Sequence, residues 1–244
     1  MRLQFLGTGG YHPNERRHTA CIMLPEVGVV LDAGTSFFRV QPRLETDELD
    51  IFLTHAHLDH IVGLTFFVVP LITEQVKRAT IHARPQDLDV LRERLFAEPL
   101  FPIVPSYELQ PLSERIPLRD GGVLTHRHLA HPGGSVGYRL DWPGCSIAYI
   151  TDTTASRDYL DFVKGVDLLI HECYFPDDQV DWAVKTGHSH TTPVATLARD
   201  AGVGRLILVH IDPQRSGDDP IGLETARSIF PATEMAEDLM EVRL

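Results

Sequence analysis

With 244 residues the chain has room for one large domain or two small ones, and 43% hydrophobic with 23% charged residues is ordinary globular content. That balance excludes disorder, a collagen-like repeat and a coiled coil. A formal net charge of −12, only three lysines and no basic cluster larger than pairs such as Arg16-Arg17 and Arg92/Arg94 disfavour an extended nucleic acid as a partner.

Strand-like runs open the chain at Leu3 to Leu6, Ala20 to Leu24, Val27 to Leu31 and Ile51 to Leu53. Helical spacing follows over Asp59 to Ile72, then a strand at Thr80 to Ala83 and a helix over Gln86 to Phe96 through Leu88, Leu91 and Leu95. The stretch Pro99 to Pro111 holds four prolines and reads as loop or sheet edge. Further strands are predicted at Val136 to Leu140, Ser146 to Ile150, Val166 to Ile170 and Leu206 to Val209. Thr192-Pro193 opens a helix that Gly202 closes, and another runs from about Asp219 to Ile229. Several strands are continuously apolar, as expected where both faces are covered. The pattern predicts one layered α/β domain over residues 1–244, without linker, repeat or low-complexity segment.

No run reaches the roughly 20 apolar residues of a membrane span. The longest, Ile61 to Ile72, is interrupted by Gly63, Thr65 and Pro70. The opening MRLQFLGTGG lacks the apolar core of a secretory signal. Cys21, Cys145 and Cys173, odd in number and far apart, suit reduced thiols, the latter two buried and not ligands. A soluble cytoplasmic protein is expected.

The strongest chemical signal is Thr54-His55-Ala56-His57-Leu58-Asp59-His60, between a strand and an apolar helix. His55 and His57 stand two apart, so extended backbone aims both the same way. Asp59 and His60 follow in the turn and offer a second ligand pair. Imidazoles with a carboxylate suit zinc, with manganese or iron also compatible. The structural alternative is a polar loop whose histidines cap the helix. His126, His128 and His131 lie upstream of a Pro-Gly-Gly turn, and spacing alone does not choose among them. Asp152 ends an apolar run, as would a helix N-cap. His210 ends another.

This HxHxDH motif resembles that of the metallo-β-lactamase superfamily. Phe5-Leu6-Gly7-Thr8-Gly9-Gly10 with Arg16-Arg17 is similar to the opening of the branch that holds tRNA 3′-endonuclease (RNase Z) and phosphoribosyl cyclic phosphodiesterase. Leu31-Asp32-Ala33-Gly34, His131-Pro132-Gly133-Gly134-Ser135, Tyr149-Ile150-Thr151-Asp152-Thr153 and Leu208-Val209-His210-Ile211-Asp212-Pro213 resemble its later motifs in order. The resemblance implies an α/β fold, a four-layer αββα sandwich of two mixed β-sheets flanked by helices. It implies two divalent ions, zinc first, with manganese or iron as alternatives. His55, His57 and His131 would hold one, Asp59, His60 and His210 the other, and Asp152 would bridge. Two ions about 3.5–4 Å apart generate a bridging hydroxide and neutralise phosphodiester oxygens.

The same resemblance gives Gly187-His188-Ser189 the role of approaching the substrate, with His188 as proton donor. His190, two residues on, leaves open which ring faces the pocket; a solvated loop is the alternative for both. Glu172, in His171-Glu172-Cys173, would orient His188 or a ligand from behind, or else lie on the surface. Gly7, Gly9 and Gly10 read as a tight turn, not a phosphate loop. Phe66, Phe67 and Tyr174 are candidate pocket walls, and Tyr11 to His18 with Phe96 to Tyr107 candidate rims.

The expected function is a dinuclear-metal phosphodiesterase of a small substrate, such as a cyclic nucleotide or cyclic ribose phosphate, with Asp59, His188 and Glu172 as the catalytic set. A lactone, thioester or β-lactam is the acyl alternative on the same ligands. Cleavage at a tRNA 3′ end is disfavoured. In short-form enzymes a Gly- and Pro-rich arm stands between the third-histidine motif and the bridging aspartate, and here those positions are 21 apart. A non-catalytic metal-binding protein would show a lost ligand. Relatives often pair, so a homodimer is an open partner.

Overall fold

The apolar runs of the sequence pair into sheets in the computed structural model, which describes every residue except 102, 104 and 216. In chain order the strands are β1 (Arg2–Gly7), β2 (Cys21–Leu24), β3 (Val29–Leu31), β4 (Glu48–Phe52), β5 (Arg78–Ala83), β6 (Glu108–Pro111), β7 (Ile116–Pro117), β8 (Val123–Leu129), β9 (Ser135–Trp142), β10 (Cys145–Ile150), β11 (Leu168–Glu172), β12 (Arg205–Val209), β13 (Thr233–Met235) and β14 (Met240–Arg243). They form two mixed sheets of seven strands, each flanked by helices. Each sheet lies in its own compact unit, one of Met1–Ser113 with Glu237–Leu244, the other of Glu114–Ala236.

In the first unit the order is β14-β1-β2-β3-β4-β5-β6. The strands from β14 to β3 are antiparallel neighbours, and β3 to β6 run parallel. Leu31 pairs with Phe52, so β3 and β4 end level with each other. Whatever follows them, Asp32 on one side and Thr54-His55 on the other, emerges at one edge. Beneath that edge lies a core of Val30, Phe37, Ile51, Leu53, Ile61, Leu64 and Phe67. The Pro99 to Pro111 stretch ends in β6 at the sheet edge, as its prolines foretell, although Pro102 lies outside the described residues.

The second unit repeats the plan in the order β13-β12-β11-β10-β9-β8-β7. A meander from β7 to β10 leads into parallel β10, β11, β12 and β13. Ile150 pairs with His171 and Glu172 with Val209, so these strands also finish together. Two antiparallel steps make β8 run with β10, which brings the end of β8 to the same edge. Four chemistry-bearing segments are therefore delivered to one rim, the usual binding edge of parallel sheets.

The helix expected over Asp59 to Ile72 is broken into Leu58–Ile61, a 3₁₀ stretch Val62–Phe67 and Val68–Ile72. Gly63 donates its N–H to Ala33 O (2.8 Å) instead of to its own helix, and Pro70 has no N–H to give. The segment over Gln86 to Phe96 begins at Pro85 and widens to a π turn at Leu91–Leu95. Helix Thr191–Ala201 stops at Gly202 (φ 64°), as its sequence predicts. The last helix starts at Leu223, later than expected. Asp219 accepts the Leu223 N–H (2.7 Å) and the chain turns at Gly222 (φ 77°). A helix at Val180–Thr186 has no clear periodicity in the sequence. Among the described residues no helix is long and apolar enough to cross a membrane.

A Cβ at Gly63 would lie 2.2 Å from Gly34 O and 2.4 Å from Phe37 Cβ, backbone and core that cannot step aside. Gly63→Ala is expected to lower stability by about 1–3 kcal/mol, the overpacking range, read from the urea midpoint.

Candidate metal centre

In the first unit Asp32 leaves β3 with φ 60°, an uncommon conformation for a residue other than glycine. Its carboxylate is fully buried and accepts from Thr54 N (2.8 Å), Thr54 Oγ1 (3.0 Å) and His60 Nδ1 (2.8 Å). A carboxylate only accepts, so Nδ1 of His60 carries the proton and Nε2 the lone pair. That Nε2 faces Asp59 Oδ2 at 3.4 Å. The His55 ring lies 4.3 Å from His57 and 4.4 Å from His60 between centroids. His57 occupies the N-cap of Leu58–Ile61 without a capping side-chain bond. The histidines converge on one another and do not serve the helix end.

In the second unit His131 follows β8, Asp152 follows β10, Glu172 ends β11 and His210 follows β12. Asp152 (φ 51°) and His210 (φ 57°) are again left-handed, and such strain collects at functional positions. His131 Nδ1 donates to Gly187 O (3.3 Å), which turns Nε2 toward Asp152 Oδ1 at 3.6 Å. His210 Nε2 lies 3.4 Å from Asp152 Oδ2. Two donors that share one tetrahedral ion at about 2.0–2.1 Å stand about 3.4 Å apart. Imidazole lone pairs facing carboxylates at that spacing, in both units, fit a divalent cation.

His188 stands in the same cluster. Its ligand atom and those of Asp152 and His210 all lie within 4.8 Å of one another. Gly187, at φ 74°, closes helix Val180–Thr186 and swings the next residue inward; a Cβ there would press on Pro132 Cδ at 2.9 Å. The ring is then held twice. Nδ1 donates to Glu172 Oε1 (3.0 Å), and Tyr174 stacks on its face at 4.8 Å and 22°. Glu172 is fully buried and also accepts from Thr153 N (2.7 Å) and Ser189 N (3.0 Å). Burial alone would push its carboxyl up, but His188, by charge and hydrogen bond, and His210 hold it below the usual carboxylate range.

His190 is turned away to Asp177 (2.6 Å), whose carboxylate also accepts Thr192 N (2.9 Å) at the next helix start. His128 sits on β8 opposite Val136 beside His126, while His131 reaches the cluster. Phe67 is a core residue against Phe37 (4.9 Å) and not a pocket wall, because the broken helix turns it inward. Cys145 is only half-buried, since the Pro143-Gly144 turn holds the start of β10 at the surface; Cys21 and Cys173 are buried. Asp32 and Thr54 stand in motifs picked out in the sequence, but the sequence alone assigns no role to either. The available signal was an acidic residue directly after the apolar run Val29–Leu31.

A model described as β-lactamase superfamily domain matches residues 28–211. The Ribonuclease Z of Metallosphaera sedula is 32% identical over 291 residues, an alignment that covers 100% of this chain and 99% of that protein. Among solved structures, the metallo-β-lactamase fold protein YhfI from Bacillus subtilis superposes with a TM-score of 0.82 at 19% identity, covering 99% of this chain and 98% of that one. The short form of human tRNase Z gives 0.77 at 22% identity, covering 100% and 99%.

Asp32→Asn removes the charge behind His60 and should weaken divalent-metal binding about 10–100-fold, as loss of such backing groups does, measured by competition with a chromophoric chelator. A separate expectation concerns His171. Its Nδ1 donates to Glu172 O (2.7 Å), so Nε2 accepts from the Tyr159 hydroxyl (2.8 Å), and burial holds the ring below its usual 6.5. Below 6.5 the unfolded chain takes a proton that the folded chain refuses. Stability is therefore complete above that pH and falls as the solution is acidified. His171→Gln should flatten this part of the curve in denaturant titrations run between about pH 7.5 and 5.

Proposed function

The chain belongs to the β-lactamase superfamily and is a metal-dependent hydrolase, and we propose that its substrate is a small phosphodiester of the cyclic-nucleotide or cyclic-ribose-phosphate type. The observation that carries this reading is the pairing of His188 with the wholly buried Glu172 beside Asp152 and His210. A histidine so placed is a proton carrier whose Nδ1–H is held by a carboxylate. We assign His55, His57 and His131 to one divalent ion, Asp59, His60 and His210 to a second, and Asp152 to both. When bound, such ions lower the pKa of water and offset charge on phosphoryl oxygens.

The chain's own groups do the rest. His188 enters with both nitrogens protonated, gives the Nε2 proton to the departing oxygen and keeps Nδ1–H on Glu172. Glu172, ionised, stabilises the charged ring before the transfer. Tyr174 restricts the ring to one plane, so that the proton is delivered along one direction. Asp32 and Thr54 keep His60 in the tautomer that offers Nε2.

Size selection rests on the interval between His131 and Asp152. It is filled by β9 and β10, joined directly at Trp142↔Cys145 through the Pro143-Gly144 turn, with Gly144 at φ 86°. No arm for a large RNA springs from this hairpin. The alignment with the Metallosphaera Ribonuclease Z spreads this chain's 244 residues over 291 positions, so 47 of them are matched by no residue here. Cleavage of a tRNA precursor is the second reading, favoured by that 32% identity over the whole chain.

The test is one activity panel on metal-loaded protein: an aryl phosphodiester, cyclic nucleotides, a lactone, a β-lactam and a tRNA precursor. Turnover greatest on the small phosphodiesters is expected. Preference for the precursor would transfer the assignment to the second reading, and preference for an acyl substrate would overturn both. Asp59→Ala should abolish turnover in a chain that circular dichroism shows folded. His188→Ala should cost about 10²–10⁴ in kcat with metal retained; loss of metal would make His188 a ligand instead.

A further inference from the structure

Tyr11 combines three properties that seldom coincide. It is a bulky residue at φ 58°, its side chain is among the most exposed of the large apolar ones at 65%, and its N–H donates to Asp59 Oδ2 at 2.9 Å. Left-handed backbone is a genuine outlier for such a residue, while glycine occupies it freely, and Gly10 stands next to it. An exposed ring forgoes the burial that usually offsets strain. Neither the backbone nor the core therefore calls for an aromatic side chain here.

The surrounding loop fixes the backbone that carries the ring. Gly9 donates to His18 O (2.9 Å), His12 N closes onto Gly10 O (2.8 Å), and Asn14 bonds with Arg17 in both directions (2.8 and 2.7 Å). Arg17 is itself buried against Thr8 and Glu237. The His12 ring meets Tyr11 edge-on at 4.8 Å. What remains is an exposed π-face on a fixed backbone, anchored one hydrogen bond from the carboxylate of the histidine–aspartate cluster.

We propose that Tyr11 is a specificity-determining residue, the platform on which a nucleobase of the substrate stacks. The inference rests on the phosphodiester reading and narrows it to a nucleotide. Every base presents a flat π-surface to an aromatic side chain. The edge of the Tyr11 peptide, committed to Asp59, keeps the backbone of that platform one hydrogen bond from a carboxylate assigned above to the metal site.

The test is calorimetric titration of the metal-loaded full chain with adenosine 5′-monophosphate and ribose 5-phosphate, which share the phosphate and differ in the base. The chain and Tyr11→Phe should bind the nucleotide about tenfold more tightly, and Tyr11→Gly and Tyr11→Leu should bring the two within about threefold. Tyr11→Gly should not lower the thermal midpoint, since glycine meets φ 58° without strain. A merely structural tyrosine would lower that midpoint and leave the ratio alone. Equal affinities in the unaltered chain, or a preference kept by Tyr11→Gly, would overturn the proposal. A preference lost with the ring in a protein that cleaves no phosphodiester would support the platform and overturn the reaction assigned above. Phosphodiester turnover without any nucleotide preference would do the reverse.

Discussion

Parallel strands that end in register impose the constraint from which the chemistry follows. Leu31 against Phe52 in one sheet, and Ile150 against His171 with Glu172 against Val209 in the other, force consecutive loops to surface side by side. The residues that follow are Asp32, His55, Asp152 and His210, all buried. A buried polar group without a partner is costly, so each such edge must satisfy itself internally. Asp32 does so with Thr54 and His60, and Glu172 with Thr153, Ser189 and His188. What these carboxylates fix in return is the tautomer and direction of the histidines.

Carboxylates of two kinds result. Asp32 and Glu172 spend their oxygens on N–H and O–H donors of the chain and act by orienting a ring. Asp59 and Asp152 each accept one donor of the chain, the Tyr11 N–H and the Thr151 hydroxyl, and also face imidazole nitrogens at 3.4–3.6 Å. Where the facing nitrogen is a lone pair, as in His60 and His131, acceptor against acceptor gains nothing without a cation between. That contrast separates the residues that prepare the site from those that would bind in it. Three of the four acids are reached through, or stand at, backbone that L-residues avoid: Asp32 and Asp152 by their own φ, and Asp59 through the Tyr11 amide. The burial and hydrogen bonds around them hold the strain in place.

Much of this is legible in the sequence, and the exceptions share a cause. The strands declare themselves because apolar runs of four to six residues have no other stable home. The cluster of His55, His57, Asp59 and His60 is visible because four candidate ligands within six positions are hard to explain otherwise. Membership of the β-lactamase superfamily, read from the order of the motifs, is upheld by the family match and by the fold. The choice of His188 over His190 was not legible, since it turns on Gly187 adopting φ 74° and on Asp177, thirteen residues earlier, taking the other ring. Nor was the break in the Asp59 to Ile72 helix, set by the Ala33 carbonyl that captures Gly63. The role of Asp32 stayed hidden because its partners are 22 and 28 positions away. Each of these depends on long-range pairing, which local pattern does not encode.

Electrostatics bear on how large a substrate this surface tolerates. The formal charge is −12, and the arginines are largely spent at home. Arg17 pairs with Glu237, Arg39 with Asp238, Arg84 with Asp87 and Arg205 with Glu234. A long RNA would meet a net negative field over many phosphates, with few cations to release its counterions. A single phosphodiester carries one charge, and at about 0.15 M salt the field beyond about 8 Å is screened. On the proposed reading its binding would depend on the local ligand clusters, and two divalent ions held there would change the formal count from −12 to −8. The same count would weigh on a polymer through many phosphates and on a small anion through one, and on the proposed reading a flat base on Tyr11 would add affinity with no charge at all.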